Sequence, residues 1–414
     1  MLPSPGSARH DLLLGMRCIG KTIVIPRTTI WCLGFAQLVS WGISYYLIGI
    51  FGEPMLAELG WTRPVVYGGF SFGLVVMGAA SPLVGGAIDR YGGRYVLAGG
   101  SVCCAAGCLA LARAQSMAAY YSAWLVLGLA MRATLYEAAF AALVRIGGQQ
   151  ARRPISKITL LGGLASTCFW PIGHSLEEIF GWRGALTVYA VIALAILPLY
   201  FAIPNERHPS EVPDRPRSVV RPQSRSALPI AVLYALIAML SNGLNSALSA
   251  HMIGVLADLG LAAGLAVTAS SLRGIGQSSA RLAEVLFGGR WHPLTLNLVA
   301  TFIMPVCFAA GLAGGRSLAA AVAFTFLFGA STGILTITRG TLPLVLFDAA
   351  TYGAYVGKLL VPSFLFAAAS PLIFAAVIAH YGAQGALYAF LGLALVMFAL
   401  SFALQMQANS RAVP

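Results

Sequence analysis

Stretches of about twenty or more predominantly apolar residues recur along almost the whole chain. They fall at 30–52, 65–88, 95–113, 119–144, 156–179, 183–203, 228–254, 261–288, 293–313, 318–346, 353–379 and 382–406. A helix rises about 1.5 Å per residue, so each stretch can cross the roughly 30 Å hydrocarbon core of a bilayer. In lipid every backbone N–H and C=O must find its partner within the protein, which makes helices the reading for runs of this length. Composition agrees: 9% of the 414 residues are charged and 58% are apolar, with a mean hydropathy of +0.82. A soluble domain carries roughly a quarter of its residues charged. The fold class expected is therefore all-α membrane protein, twelve transmembrane helices in two six-helix bundles.

The net charge of +13 raises the question of nucleic acid, and its distribution answers against it. Arg9, Arg17, Lys21 and Arg27 precede the first span, and Arg90 and Arg94 follow the second. Arg145, Arg152, Arg153 and Lys157 follow the fourth, and Arg207, Arg215, Arg217, Arg221 and Arg225 fall in the central linker. Arg290 and Arg411 lie on the same side, whereas the opposite loops hold only Arg63, Arg113, Arg183 and Arg316. This bias is a topology signal. It places both termini of a multi-pass protein in the cytoplasm, with lipid and not nucleic acid as its surroundings.

The longest polar stretch, Pro204–Ser226, divides the chain nearly in half. The organisation read from this is a cytoplasmic N-terminal segment (1–29), a six-helix bundle (30–203), a cytoplasmic linker (204–227), a second six-helix bundle (228–406) and a short tail (407–414). Residues 1–29 are basic and too broken for the apolar core of a signal peptide, and Met16 could replace Met1 as the start without touching any span. The halves echo each other. Leu56-Ala57-Glu58-Leu59-Gly60 recurs as Leu256-Ala257-Asp258-Leu259-Gly260, and Gly181-Trp182-Arg183-Gly184-Ala185-Leu186 as Gly382-Ala383-Gln384-Gly385-Ala386-Leu387, at equivalent topological points. A parallel six-plus-six repeat suits two bundles that rock about a site near the bilayer midplane.

Seven cysteines fall mainly in or beside spans. Cys104 and Cys108 share a face of the third span, which allows either a soft-metal site or simple packing of small hydrophobes. No His-x-x-Glu-His pattern, P-loop or similar constellation appears; neither an enzyme nor a cofactor is expected.

Ionisable groups deep in spans are expensive and by default mark a pathway. Arg132 and Glu137 lie in the fourth span, Arg273 and Arg281 in the eighth, Arg339 in the tenth and Lys358 in the eleventh. Arg132 and Arg273 fall near mid-depth. Arg273, Gln277, Arg281 and Glu284 lie within about 80° of one another on a helix, a polar stripe suited to a cavity wall. Glu284 can pair with Arg281 at i, i+3. Arg132 and Glu137 point about 140° apart on a continuous helix, so each needs a partner elsewhere. Five buried bases against Glu137 and the more peripheral Glu284 leave a net positive interior, a costly arrangement at low dielectric that an anion would relieve. Gln37, Ser40, Ser44 and Tyr45 of the first span, with Asn242, Asn245 and Ser249 of the seventh, are candidates to complete the site. Glu137 is the candidate for proton coupling, and His251 a weaker one.

The loop after the second span reads Gly85-Gly86-Ala87-Ile88-Asp89-Arg90-Tyr91-Gly92-Gly93-Arg94. It resembles the signature of the major facilitator superfamily, in which a glycine stands three residues before Asp-Arg and a basic residue follows x-Gly. That resemblance implies a secondary transporter of a small solute, acting as a monomer, with the first, fourth, seventh and tenth spans facing the cavity. It also implies that Asp89 bonds to Arg145 of the fourth span and to the start of the eleventh. Gly85, Asp89, Arg90, Gly92, Arg94, Arg145 and Arg339 then form a gate that shuts the cytoplasmic side; the same charges could merely anchor a loop. Tyr136-Glu137-Ala138-Ala139-Phe140 and Thr167-Cys168-Phe169-Trp170-Pro171 resemble bacterial permeases that include arsenite-efflux members. Arg281 and Lys358, with Tyr352-Gly353, resemble the basic pair of oxalate:formate exchangers and monocarboxylate carriers. The Phe169-Trp170-Pro171-Ile172-Gly173 stretch lacks the Gly-Pro pair of many drug/proton antiporters. The favoured substrate is a small organic anion such as a carboxylate, bound by Arg132, Arg273, Gln277, Arg281, Lys358, Asn242, Asn245 and Tyr45. Efflux of a metalloid or drug is the alternative, and a transporter-like receptor a further one.

Overall fold

The computed structural model describes residues 25–147, 151–205, 228–287, 291–315, 317–346 and 352–412. These residues are almost entirely helical, with no strand among them. The first span is Arg27–Ser40, a π-helical turn at Trp41–Tyr45, and Leu47–Leu59. The second is Arg63–Ala79 and Ser81–Tyr91, bent by 50° where Pro82 enters the chain. Proline lacks the N–H that would continue the ladder, so the bend falls there. The third is Gly93–Ala112, and the fourth Met117–Thr134 with Tyr136–Gly147. Arg152–Gly163, Ala165–Ala195 and Leu197–Phe201 form the fifth and sixth, divided at Gly181. The seventh to tenth are Leu228–Asp258, Ala263–Phe287, Pro293–Leu312 and Leu318–Leu346. Tyr352–Ala412 holds the eleventh and twelfth, divided at Gly382.

The repeat is visible in the backbone. Gly181 and Gly382 break their helices at φ 65°, ψ 168° and φ 69°, ψ −178°, a conformation open to glycine because it has no Cβ. Gly60 and Gly260 close the matching first spans of each half with φ of 66° and 107°. The helix breaks and caps therefore recur at the positions where the sequence repeats.

Between helices in lipid, close packing replaces the hydrophobic effect as the driving force. The two halves meet along three seams. The second span packs on the eleventh through Gly68 and Leu372. The first packs on the seventh at Gly49, where an added Cβ would lie 2.7 Å from the Ser249 carbonyl oxygen. The fifth packs on the eighth at Gly274, where an added Cβ would lie 2.9 Å from the Gly163 carbonyl oxygen. Thr167 Oγ1 donates to the Ser271 carbonyl at 2.7 Å across that third seam, and Ser278 Oγ to the Leu160 carbonyl at 3.0 Å. Ser81–Tyr91 and Tyr136–Gly147, at the end nearer the linker, pack chiefly against their own half. Among the described residues the contacts between the bundles lie mainly toward the end away from the linker, and the fifth–eighth seam continues toward the linker end.

One span stands apart in composition. Ala263–Phe287 is the described helix of span length that is not apolar enough to qualify as a crossing on hydropathy. It carries Arg273, Gln277, Arg281 and Glu284, and a surplus of polar side chains on a helix buried between two bundles calls for an explanation in terms of a site.

Candidate functional site

Three helix breaks in the first half lie around one level of the bundle. In the π turn Tyr46 N–H reaches back to the Trp41 carbonyl at 3.0 Å, and the extra residue turns both Tyr45 and Tyr46 inward. Single π turns of this kind recur at functional positions in helices. The fourth span breaks at Leu135, which is extended at φ −78°, ψ −173°. Its freed Thr134 carbonyl accepts Gln37 Nε2 at 2.7 Å, which satisfies an acceptor that lipid could not. The fifth is interrupted at Leu164. Broken helices at membrane depth are tolerated where they line a cavity or are buried in protein.

Arg273 sits where these breaks meet the eighth span. Its side chain is 1% exposed, and among the described residues no carboxylate lies within ion-pair distance. Nη2 donates to Asn245 Oδ1 of the seventh span at 2.8 Å. Three rings surround the guanidinium: Phe328 at 5.1 Å, Tyr46 at 5.6 Å and Trp170 at 6.0 Å. Cation–π contact of this kind offsets part of the desolvation of a buried cation. It leaves Nε and Nη1 without any acceptor. Tyr45 lies beside Ser246, Ser249 and Arg273, and Trp170 Nε1 donates to the Tyr46 carbonyl at 3.4 Å.

Nearer the linker end a second layer crosses the halves. Arg281 Nη1 donates to the Thr159 carbonyl of the fifth span at 2.6 Å, and Tyr136 OH to the same carbonyl at 3.2 Å. Arg339 Nη1 donates to Asn242 Oδ1 at 2.5 Å, while Asn242 Nδ2 donates to Ser363 Oγ at 2.8 Å. Glu137 is exposed on the first turn of Tyr136–Gly147, close enough to Arg339 to feel its charge. Arg132 is partly exposed, and its Nε and Nη1 are buried without an acceptor.

The structure brings together Tyr45, Asn245 and Arg273 in one layer, and Asn242, Arg281 and Arg339 in the next. Gln277 is 8% exposed and lies between them, against Gly333 of the tenth span. The polar stripe of the eighth span is therefore buried in the seam between the halves; it does not face an open cavity. Two other expectations need correction. The break at Leu135 puts Arg132 and Glu137 on separate helical pieces, so a spacing argument based on one continuous helix does not apply. Gln37 and Ser40 turn into their own bundle, Gln37 to the Thr134 carbonyl and Ser40 to Tyr200 of the sixth span at 3.0 Å, and Ser44 bonds back to the Ser40 carbonyl. Cys104 and Cys108 are buried, with Cys108 packed against Ile43; no group of three metal-ligating side chains converges among the described residues. The side chain of Lys358 lies outside the described residues.

A family model for the Major Facilitator Superfamily matches residues 33–277, more than half of the chain. The chain belongs to the Major Facilitator Superfamily. It is a membrane transporter and not an enzyme. The likeness in fold extends beyond the matched residues: a crystal structure of the nucleoside transporter NupG aligns with a TM-score of 0.70 at 14% identity, covering 92% of this chain and 98% of that one. A variant of the same transporter aligns at 0.72 and 15% with the same coverage. No curated protein matches the chain.

Within this family fold, the signature loop docks on the end of the sixth span. Arg94 Nε donates to the Ile203 carbonyl at 2.7 Å, and Arg145 Nη1 to the Asn205 carbonyl at 3.1 Å. Gly92 has φ 93° and sits against Asn205, so no side chain fits there. Arg90 lies over Tyr91 at 5.3 Å. The expected Asp89–Arg145 bond is not made: Asp89 is exposed, and Arg145 is engaged by Asn205. Nor is Gly85 at a close approach, since an added Cβ there would meet nothing within 4 Å. Arg145 instead commits its Nη1 to Asn205 at the end of the sixth span, within the same half as Asp89.

Sequence reasoning missed Tyr46, Trp170, Phe328 and Tyr136 as neighbours of the buried bases. Nothing in the periodicity marks the π turn that aims Tyr46. Trp170 is a tryptophan beside a proline in an apolar helix, and that pairing was the one available signal.

Proposed function

We propose that this chain is a secondary active transporter that carries a small organic anion, a carboxylate in the first instance, by alternating exposure of a site at Arg273. The observation that supports this reading is the buried, unneutralised guanidinium with two N–H groups lacking acceptors. A buried cation without an anion is costly, and a carboxylate between the halves would accept a charge-assisted hydrogen bond from Nε or from Nη1. Asn245 holds the guanidinium, Tyr45 and Gln277 stand beside its path, Arg281 extends positive charge toward the linker end, and Lys358 of the eleventh span is a further base of the proposed site. Arg132 and Asn242 complete the donors along that route.

Glu137 is the proton-coupling group in this reading. It sits at a helix start, within the field of Arg339 of the other half. Gly85, Asp89, Arg90, Gly92, Arg94, Arg145 and Arg339 belong to a gate that closes when the linker ends come together. The positive-inside bias supports cytoplasmic termini, and the resemblance to bacterial permeases supports a bacterial inner membrane. The chain acts as a monomer, since each bundle pair encloses its own site.

Uptake of labelled carboxylates into proteoliposomes, with and without a proton gradient, tests the proposal. Saturable accumulation supports it. If carboxylates are ignored and arsenite or a lipophilic drug is moved, the bases serve gating and the cargo is neutral.

A further inference from the structure

At the end away from the linker, the halves are tied by charge. Arg63, which opens the second span, meets Glu53 of the first at 2.8 Å and Asp258 of the seventh at 3.4 Å. Glu53 also accepts Tyr67 OH at 3.0 Å, and Tyr67 packs at a tilt against His251 of the other half with 4.1 Å between ring centroids. The Arg63–Asp258 contact joins the two bundles, and it is the one cross-half ion pair among the described residues.

The internal repeat explains why this aspartate is available. Asp258 corresponds to Glu58, which is consumed within its own half: Arg183 Nε donates to Glu58 Oε1 at 2.7 Å and Trp182 Nε1 to Oε2 at 2.5 Å. The counterparts of Trp182 and Arg183 are Ala383 and Gln384. Neither can neutralise a carboxylate. The acid was kept in both halves, its local partner in one, and the second acid turned across the seam to Arg63.

We infer that Arg63 and Asp258 are positioning residues of the transport cycle: they latch the side of the protein away from the linker, and must part before the site at Arg273 can open there. Glu53 holds Arg63 in place whether or not the latch is engaged. The pairing needs no assumption about cargo, so it stands apart from the anion proposal.

Spin labels at Thr62 and Ala262, both exposed and beside the pair, report the gap by pulsed dipolar spectroscopy in a cysteine-free background. Asp258→Asn is expected to raise a longer-distance population at least threefold, and Arg63→Asp with Asp258→Arg to restore the short one. That restoration also shows that the variants fold. Gln384→Arg should lengthen the distance without touching the pair, by giving Asp258 the local partner that Glu58 has. A wild-type distribution in Asp258→Asn, or a widening that the charge exchange does not reverse, overturns the latch. A wild-type distribution in Gln384→Arg overturns its origin in the repeat.

Discussion

Arg273 and Asn245, on neighbouring helices of the second half, are joined by a hydrogen bond of 2.8 Å that uses one corner of the guanidinium and leaves Nε and Nη1 without acceptors. The bond fixes where the charge sits. A neutral amide holds the cation without cancelling it, which a carboxylate in the same place would do.

That distinction can be measured at position 245. Asn245→Asp supplies an internal anion, so it should leave thermal stability unchanged or higher and abolish binding of a carboxylate substrate. Asn245→Ala removes the acceptor, and the buried N–H then lacks its partner at a cost of about 1–3 kcal/mol. The expected result is a lower melting temperature with only partial loss of affinity. Thermal melts and equilibrium binding on the two purified variants check the pair.

Glu137→Gln is expected to abolish the dependence of transport on the proton gradient. Exchange of substrate for substrate survives, because it needs no titrating carboxylate. Paired assays of proton-driven accumulation and of counterflow separate the two. Proton-driven accumulation at the wild-type level removes Glu137 from the coupling mechanism.

The sequence carried the architecture for a plain physical reason: a lipid solvent demands long apolar helices, and the ones it demanded are where the apolar runs are. The repeat was legible too, since Gly181 and Gly382 announce the breaks they make. What the sequence hid was rotation and interruption. The polar side chains of Gln37 and Ser40 belong on the first span, but whether they face the cavity depends on a π turn a few residues later. The break at Leu135 is likewise absent from any local pattern, since no proline or glycine stands there. Arg273 was legible as an anomaly, whereas its ring of aromatics, drawn from both halves, is a product of tertiary packing.

Asp89→Asn should lower the transport rate while leaving substrate affinity nearly unchanged. Asp89 is exposed and belongs to the proposed gate, not to the substrate site, so its charge matters when the linker ends close. Initial rates compared with binding isotherms decide the point. A large loss of binding with normal conformational exchange contradicts this role.

Gly274→Val tests the seam between the fifth and eighth spans. The added carbons meet the Gly163 carbonyl and the Thr167 hydroxyl, and overpacking of this kind costs about 1–3 kcal/mol. A lower melting temperature and slower transport are expected together. Gly264→Val, at an exposed glycine of the same span with open space around it, serves as the control and should cost less.

The central claim is that an anion is bound at Arg273, and the most direct measurement is the affinity of an identified substrate for Arg273→Gln beside Lys358→Gln and Arg281→Gln. Loss of a charge-assisted hydrogen bond is worth about 1.5–3 kcal/mol, or roughly one to two orders of magnitude in Kd. Arg273→Gln and Lys358→Gln should weaken binding by that amount while folding normally, and Lys358→Arg should retain part of it. Arg281, already engaged by the Thr159 carbonyl, should show the smaller defect. If all three neutral variants fold and bind with native affinity, no anion is held there and the bases serve the gate.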